Sequence, residues 1–444
     1  MDVMRRLVWS EMSGDERHSL CSRGLSEIFD PELRASIGAL IEDVRRRGDD
    51  AVCDALARFD GIELDPDDLR VGEEELAAAE VSVAVDDAID DAIAHLRAFS
   101  EHQLVGLADW EFESEPGLQV GEKLTPIASV GLFVPSGKAS YPSVAYQLGV
   151  PATMAGVPRI VLVVPPLPGG TSEVDPAVLV VCRKLGIADV FRVNGPAGIA
   201  ALGFGTERIP SVRKVVGPGS PPVILAQVEM QRHGLTTMML LGPTESLVIA
   251  DASADPERLA ADLLIEAEHG TDSSVVLVST DEALAASVDR ELTRQLRDLA
   301  GVRAEAARAA LGQNGGCVLA VDLDEAIRIA NEYGPEHLQI AVGEADQGRI
   351  VEGLVNAGEI LVGQHTPFSA ANFVIGCPAS LPTSGFAHVS SGITAATFLK
   401  RTAIARADPE AMARMAPSVI ALADHEGFPA HAAALRRRLD EFLS

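Results

Sequence analysis

The chain has 444 residues, 36 Lys plus Arg against 65 Asp plus Glu, and a formal charge of −29; 47 % of it is hydrophobic and 23 % charged. This is globular composition, long enough for two or three domains with sizeable cores. The acidity excludes phosphate-tracking nucleic-acid binding and an anionic membrane surface, which both need clustered Lys and Arg, and an anionic substrate would need a local positive centre such as a metal.

The first residues, MDVMRRLVWSEMSGDER, turn acidic before an apolar segment develops, so no signal peptide is expected. No apolar run is long enough to span a membrane. Cys21, Cys53, Cys182, Cys317 and Cys377 are odd in number and widely spaced, with no C-x-x-C. They read as buried thiols of a cytoplasmic protein rather than a disulfide framework or zinc ribbon.

Residues 31–59 carry Leu33, Ile37, Leu40, Ile41, Val44, Val52, Leu56 and Phe59 at helical spacing, with Gly48 and Gly61 as interruptions. A second helical run at 83–104 places Ile89, Ile93, Leu96 and Phe99 on one face. The texture changes near residue 125. Short β-branched runs recur at 130–134, 160–164, 190–193, 212–216, 247–249, 275–278, 318–321 and 359–362, mostly separated by helix-like segments. This alternation predicts an α/β fold with largely parallel sheets, in two clusters at about 129–235 and 240–365. The Pro/Gly-rich stretch 165–176 reads as a surface loop, and from 382 onward the chain reads as helical. The G-x-G-x-x-G fingerprint is absent, since Gly203-Phe204-Gly205 and Gly217-Pro218-Gly219 each lack the third glycine.

Four segments could carry chemistry. Glu266 and His269 lie three apart at the end of a helix opened by Asp255 and Pro256, so they share a face. That is a metal-ligand geometry, or alternatively a His satisfying the helix dipole. Glu336 and His337 follow a Gly-Pro turn and suit acid–base work, or form an exposed polar pair. Glu426 and His431 flank Pro429 in an irregular segment, and Asn372 is the polar residue of an apolar, loop-like stretch. A Ser-His-Asp hydrolase is unsupported, because no G-x-S-x-G elbow occurs.

In order, these segments resemble the histidinol dehydrogenase family, zinc enzymes that oxidise an amino alcohol to an amino acid with two NAD molecules. The resemblance runs from about Leu40 to Arg438. It is carried also by Arg45-Arg46-Arg47-Gly48-Asp49-Asp50-Ala51, Val130-Gly131-Leu132-Phe133-Val134-Pro135, Gly217-Pro218-Gly219 and Gly242-Pro243-Thr244-Glu245. It implies Glu266, His269, Asn372 and His431 as metal ligands, where the family carries Gln, His, Asp and His. The formal charge of that set is unchanged. It implies Glu336 and His337 as the catalytic pair, with His337 taking the alcohol proton and Glu336 activating water.

On the cofactor side the resemblance points to Phe133, Ala197 and Ser220, which stand where the family has Tyr, Gln and Asn; NAD or NADP binding would be weakened. On the substrate side it points to Thr244 (Ser in the family), Glu426 and Ala379, where the family has His. Losing that His makes histidinol an unexpected substrate. The resemblance further implies two incomplete Rossmann-like α/β domains with parallel-rich sheets and helical pieces at both ends. The pieces map to 1–30 (N-terminal helical), 31–128 with 237–381 (first domain), 129–236 (second, nucleotide-side domain) and 382–444 (helical tail). The tail is expected to cross to the other subunit of a homodimer. The expected activity is zinc-dependent, NAD(P)-linked oxidation of a small amino alcohol or polyol. The alternatives are a non-redox metalloenzyme, lyase or hydrolase, on the same scaffold, and a non-catalytic binding homologue.

Overall fold

The computed structural model describes residues 3–22, 30–136, 140–167, 169, 172–238, 242–299 and 301–443. Parts of the expected 1–30 piece and of the 165–176 loop lie outside them. The chain divides into two compact units, Met1–Glu101 with Ile127–Phe398, and His102–Pro126 with Leu399–Ser444.

The first unit is α/β and contains two parallel sheets. The four-stranded sheet is built from β4 (Val130–Phe133), β5 (Ile160–Val164), β6 (Asp189–Arg192) and β7 (Lys214–Val216), in the order β6-β5-β4-β7. The six-stranded sheet uses β1 (Arg6–Val8), β8 (Glu245–Ala250), β9 (Ser274–Ser279), β10 (Gly316–Leu319), β11 (His337–Ala341) and β12 (Glu359–Val362), in the order β1-β10-β9-β8-β11-β12. Both sheets are covered on two faces, which explains why their strands read as continuous apolar runs. Alternation divides the six-stranded core: Val248, Val275 and Leu277 join Leu259 and Leu263 on one face, while Leu247, Ile249, Val276, Leu338 and Ile340 join Ile329 and Ile350 on the other. Ile340 is fully buried, so truncating it to Ala would cost about 2–5 kcal/mol.

The helices start and stop for local reasons. Asp30 caps Pro31–Arg47 by accepting from Leu33 N at 2.8 Å, and Asp255 caps Pro256–Ala267 by accepting from Glu257 N at 2.9 Å. The helix Leu323–Tyr333 ends on Gly334, whose φ of 57° is the left-handed cap that turns the chain into β11.

The second unit is an antiparallel sheet, β13-β3-β2, from β2 (Trp110–Glu115), β3 (Leu118–Pro126) and β13 (Leu399–Ala407), followed by helices Pro409–His425 and Pro429–Leu443. This corrects two expectations. The tail is not wholly helical, and strands begin before residue 125. β13 reads LKRTAIARA, with exposed residues on both faces and no alternation to betray it. The Glu115-Pro116-Gly117 turn between β2 and β3 was a legible hairpin signal. Within the N-terminal piece, Arg6–Val8 is an edge strand rather than helix. Phe99 is 39 % exposed and does not share the burial of Ile89, Ile93 and Leu96. Among the described residues no helix is long and apolar enough to cross a membrane.

Candidate active site

β8, β11 and β12 are neighbours, and each opens on an acid or a base: Glu245, His337 and Glu359. His337 is therefore a strand residue, 3 % exposed, and Glu336 just before it is 8 % exposed. The alternative of an exposed turn pair is corrected; the buried strand that follows, Leu338–Ala341, draws both side chains into the core.

Glu336 Oε2 accepts from Glu245 N at 3.1 Å, and its Oε1 lies 3.7 Å from His337 Nε2. The other ring nitrogen, Nδ1, is 2.5 Å from Glu359 Oε1. Burial pushes the Glu336 carboxyl up to about 8; His337 opposes this, and the like charges of Glu266 and Glu245 add to it. Burial pulls the His337 imidazolium down, but Glu336, Glu266 and Glu359 outweigh that and push it up to about 10. The pair is thus biased toward holding protons. Glu245 in turn accepts from Ser384 N, and Ser384 is the one non-glycine residue at positive φ (55°) among those described.

A second group adjoins through Thr244, the residue before β8. Thr244 Oγ1 lies 3.3 Å from His269 Nδ1, and His269 Nε2 lies 3.6 Å from Glu266 Oε2. Glu266 is fully buried at the end of the Pro256–Ala267 helix. Its Oε1 accepts from Asn372 Nδ2 at 2.7 Å, while Oε2 has no hydrogen-bond partner among the described residues. Asn372 sits in a short helix, Phe368–Phe373, not in a loop as expected. A buried carboxylate oxygen left bare beside an imidazole fits a divalent cation, which would satisfy it. No third His, Cys, Asp or Glu joins Glu266 and His269 among the described residues of this chain. Glu426 and His431 belong to the second unit and both are exposed; Glu426 caps the helix Pro409–His425, but Pro429 opens the next helix rather than breaking one, so His431 is helical and not in an irregular segment as expected, with its ring 5.2 Å from that of Phe428.

Phe133, Ala197 and Ser220 line one cavity of about 380 Å³, together with Phe59, Asp60 and Asn194. They lie at or just past the carboxyl ends of β4, β6 and β7. Ala197 is in the first turn of Gly195–Phe204, and Ser220 is the N-cap of Pro221–Met230. Gly217 (φ 141°) lets the chain pass Phe133, whose carbonyl any Cβ there would strike. Asn194 Nδ2 donates to Asp60 Oδ1 at 2.5 Å, and burial raises the Asp60 carboxyl. Ala379 N donates to Gln147 Oε1 at 3.2 Å; Gln147 is buried, and its Nε2 finds no partner among the described residues.

Sequence reasoning missed Glu359, and it saw Glu245 only as part of a landmark. Both are the first residue of a strand, so an acid opening an apolar run was the available signal.

The histidinol dehydrogenase family model matches residues 26–439. A histidinol dehydrogenase of Rhizobium meliloti is 40 % identical over 412 residues, covering 92 % of each chain. One of Xanthomonas axonopodis pv. citri is 39 % identical over 439 residues, covering 98 % of this chain and 99 % of that one. The crystal structure of histidinol dehydrogenase from Elizabethkingia anophelis superposes over 100 % of both chains with a TM-score of 0.92 at 30 % identity.

Proposed function

The chain belongs to the histidinol dehydrogenase family, and we propose that it catalyses zinc-dependent, NAD(P)-linked oxidation of a small amino alcohol or polyol other than histidinol. The family uses zinc and NAD and acts on small molecules as a dimer. The observation that carries the reading is the buried Glu336–His337 pair beside the bare Glu266 carboxylate.

Glu266, His269 and His431 would hold the metal, with Asn372 steadying Glu266 through its amide. Bound there, zinc supplies a Lewis acid that lowers the pKa of an alcohol oxygen. The cavity lined by Phe133, Ala197 and Ser220 would hold the nicotinamide cofactor, which accepts the hydride. His337 takes the hydroxyl proton at Nε2, the nitrogen facing Glu336. Glu336, once deprotonated, draws a proton from water for attack at the aldehyde level. Both groups are biased toward the protonated form, and both must be unprotonated to act as bases. Turnover in the oxidation direction therefore rises with pH from neutral toward alkaline.

His431 and Glu426 come, on this reading, from the exchanged tail of the second copy in a cytoplasmic homodimer, where they complete the metal and substrate sites. Ala379 supports a substrate other than histidinol: it offers a methyl group, and the nearby unpaired Nε2 of Gln147 offers an amide donor.

The test is a panel of amino alcohols and polyols, with L-histidinol among them, supplied to the zinc-loaded protein with NAD or NADP while reduced nicotinamide is followed. We expect one panel member to exceed L-histidinol in kcat/KM by about tenfold or more, and His337→Ala to lower turnover by about 10³-fold with zinc still bound. L-histidinol as the best substrate would overturn the substrate assignment. No reduction with any alcohol, with zinc verified, would leave the lost polar groups at Phe133, Ala197 and Ser220 as the governing fact and favour a non-redox metalloenzyme.

A further inference from the structure

His337 and Glu359 stand opposite each other in register as the first residues of neighbouring parallel strands. Register partners project to the same face of a sheet, so the two side chains must meet. They are sealed together: the side chains are 4 % and 6 % exposed, and Nδ1 and Oε1 are 2.5 Å apart. Phe368, fully buried, meets the imidazole at 5.9 Å between centroids and 67° between planes. The ring is therefore held at one nitrogen and braced on its flank. The nitrogen left over, Nε2, borders Glu336.

A carboxylate only accepts hydrogen bonds, so the nitrogen facing Glu359 carries the proton. We propose that Glu359 is the positioning residue of His337: it accepts Nδ1–H, fixes the neutral imidazole as that tautomer, and leaves the Nε2 lone pair bare toward the substrate hydroxyl. The proposal rests on the reading of His337 as the proton acceptor. No proton is consumed by Glu359 itself. The hydroxyl proton moves to Nε2, the imidazolium shares its charge with Glu359, and the proton returns to solvent.

A second observation separates this role from scaffolding. Glu359 Oε2 is buried and has no hydrogen-bond partner among the described residues. A residue kept only to fill space would do so without a bare buried oxygen, since an apolar side chain of similar size avoids that cost. The side chains that act on the ring, Glu336, Glu266 and Glu359, are all acids, so the arrangement favours the imidazolium that proton transfer creates.

The experiment uses Glu359→Gln and Glu359→Asp in the full-length, zinc-loaded protein, with the alcohol returned by the panel above. Gln keeps the volume and removes the charge. Glu359→Gln should lower kcat by about 10–100-fold with KM within about threefold and zinc content unchanged. The acid limb of the kcat profile should move to lower pH, and Glu359→Asp should recover part of the loss. Independently of any substrate, long-range ¹H–¹⁵N spectra of histidine-labelled wild-type protein, followed upward in pH until His337 loses a proton and assigned with His337→Gln, should show the neutral ring protonated at Nδ1. Neutral wild-type His337 carrying its one ring proton at Nε2 would overturn the proposal, even if the variants failed to fold. So would an unchanged kcat in Glu359→Gln, or a loss that tracks melting temperature with no movement of the acid limb. If His337→Ala remained active, the reading of His337 would fail instead, and the two failures are distinct.

Discussion

In the four-stranded sheet the cavity is lined by residues at or just past the carboxyl ends of β4, β6 and β7, whereas in the six-stranded sheet the acid–base residues stand at the amino ends of β8, β11 and β12. The first arrangement follows the rule for open parallel sheets: the strand order β6-β5-β4-β7 reverses direction between β4 and β7, and a groove opens at that switch point. The second departs from it. Helix dipoles explain why the two edges suit different chemistry. Helices Gly195–Phe204 and Pro221–Met230 begin at the cavity, presenting positive ends that favour phosphate. Helix Pro256–Ala267 ends beside the acid–base residues, and its negative end, with Glu266, favours a cation. One fold thus offers an edge suited to a dinucleotide and an edge suited to a metal, and the helix amino ends give a strongly acidic chain a place for an anionic cofactor.

If the edges are separate in function, damage at one should leave the other intact. The largest effect is expected from His269→Ala, which should lower zinc affinity by at least about tenfold, read as metal content after dialysis, while NAD titrates as in the wild type. Retained zinc would refute His269 as a ligand. A smaller effect is expected at the other edge. Ala197→Gln with Ser220→Asn should restore two hydrogen-bonding groups at about 0.7 kcal/mol each, tightening NAD by about tenfold in calorimetry with zinc content unchanged.

The smallest effect concerns stability and pH in the metal-free protein. The folded-state pKa of His337 is raised from 6.5 to about 10, so its protonation stabilises the fold fully below about pH 6.5 and that contribution is lost as pH rises through about 10. The melting temperature of the wild type should therefore fall by about 2 °C more across that window than that of His337→Ala. Parallel curves would show that the three carboxylates do not hold the imidazolium.

Much of this was legible in the residues, because the signals were local. Asp255, Pro256 and the Leu259, Leu263, Leu264 stripe fix a helix within a dozen residues, and β-branched runs mark most parallel strands. The segments holding Glu266, His269, Glu336 and His337 were also visible, through their spacing. What stayed hidden depends on register between distant strands. Glu359 is meaningful only because β12 pairs with β11 so that it faces His337. β13 has no apolar alternation, and it forms only because β3 offers it a partner. Asn372 looked like a loop residue, yet its short helix carries it to Glu266 across 106 residues of sequence.

Calorimetric titration of NAD into the zinc-loaded protein tests the division between the edges most directly. Saturable binding at micromolar to low-millimolar strength, abolished when Ala197→Trp fills the cavity, is the result expected. Binding that survives Ala197→Trp, or no saturable binding with zinc verified present, would contradict the assignment of the carboxyl-edge cavity to the nicotinamide cofactor.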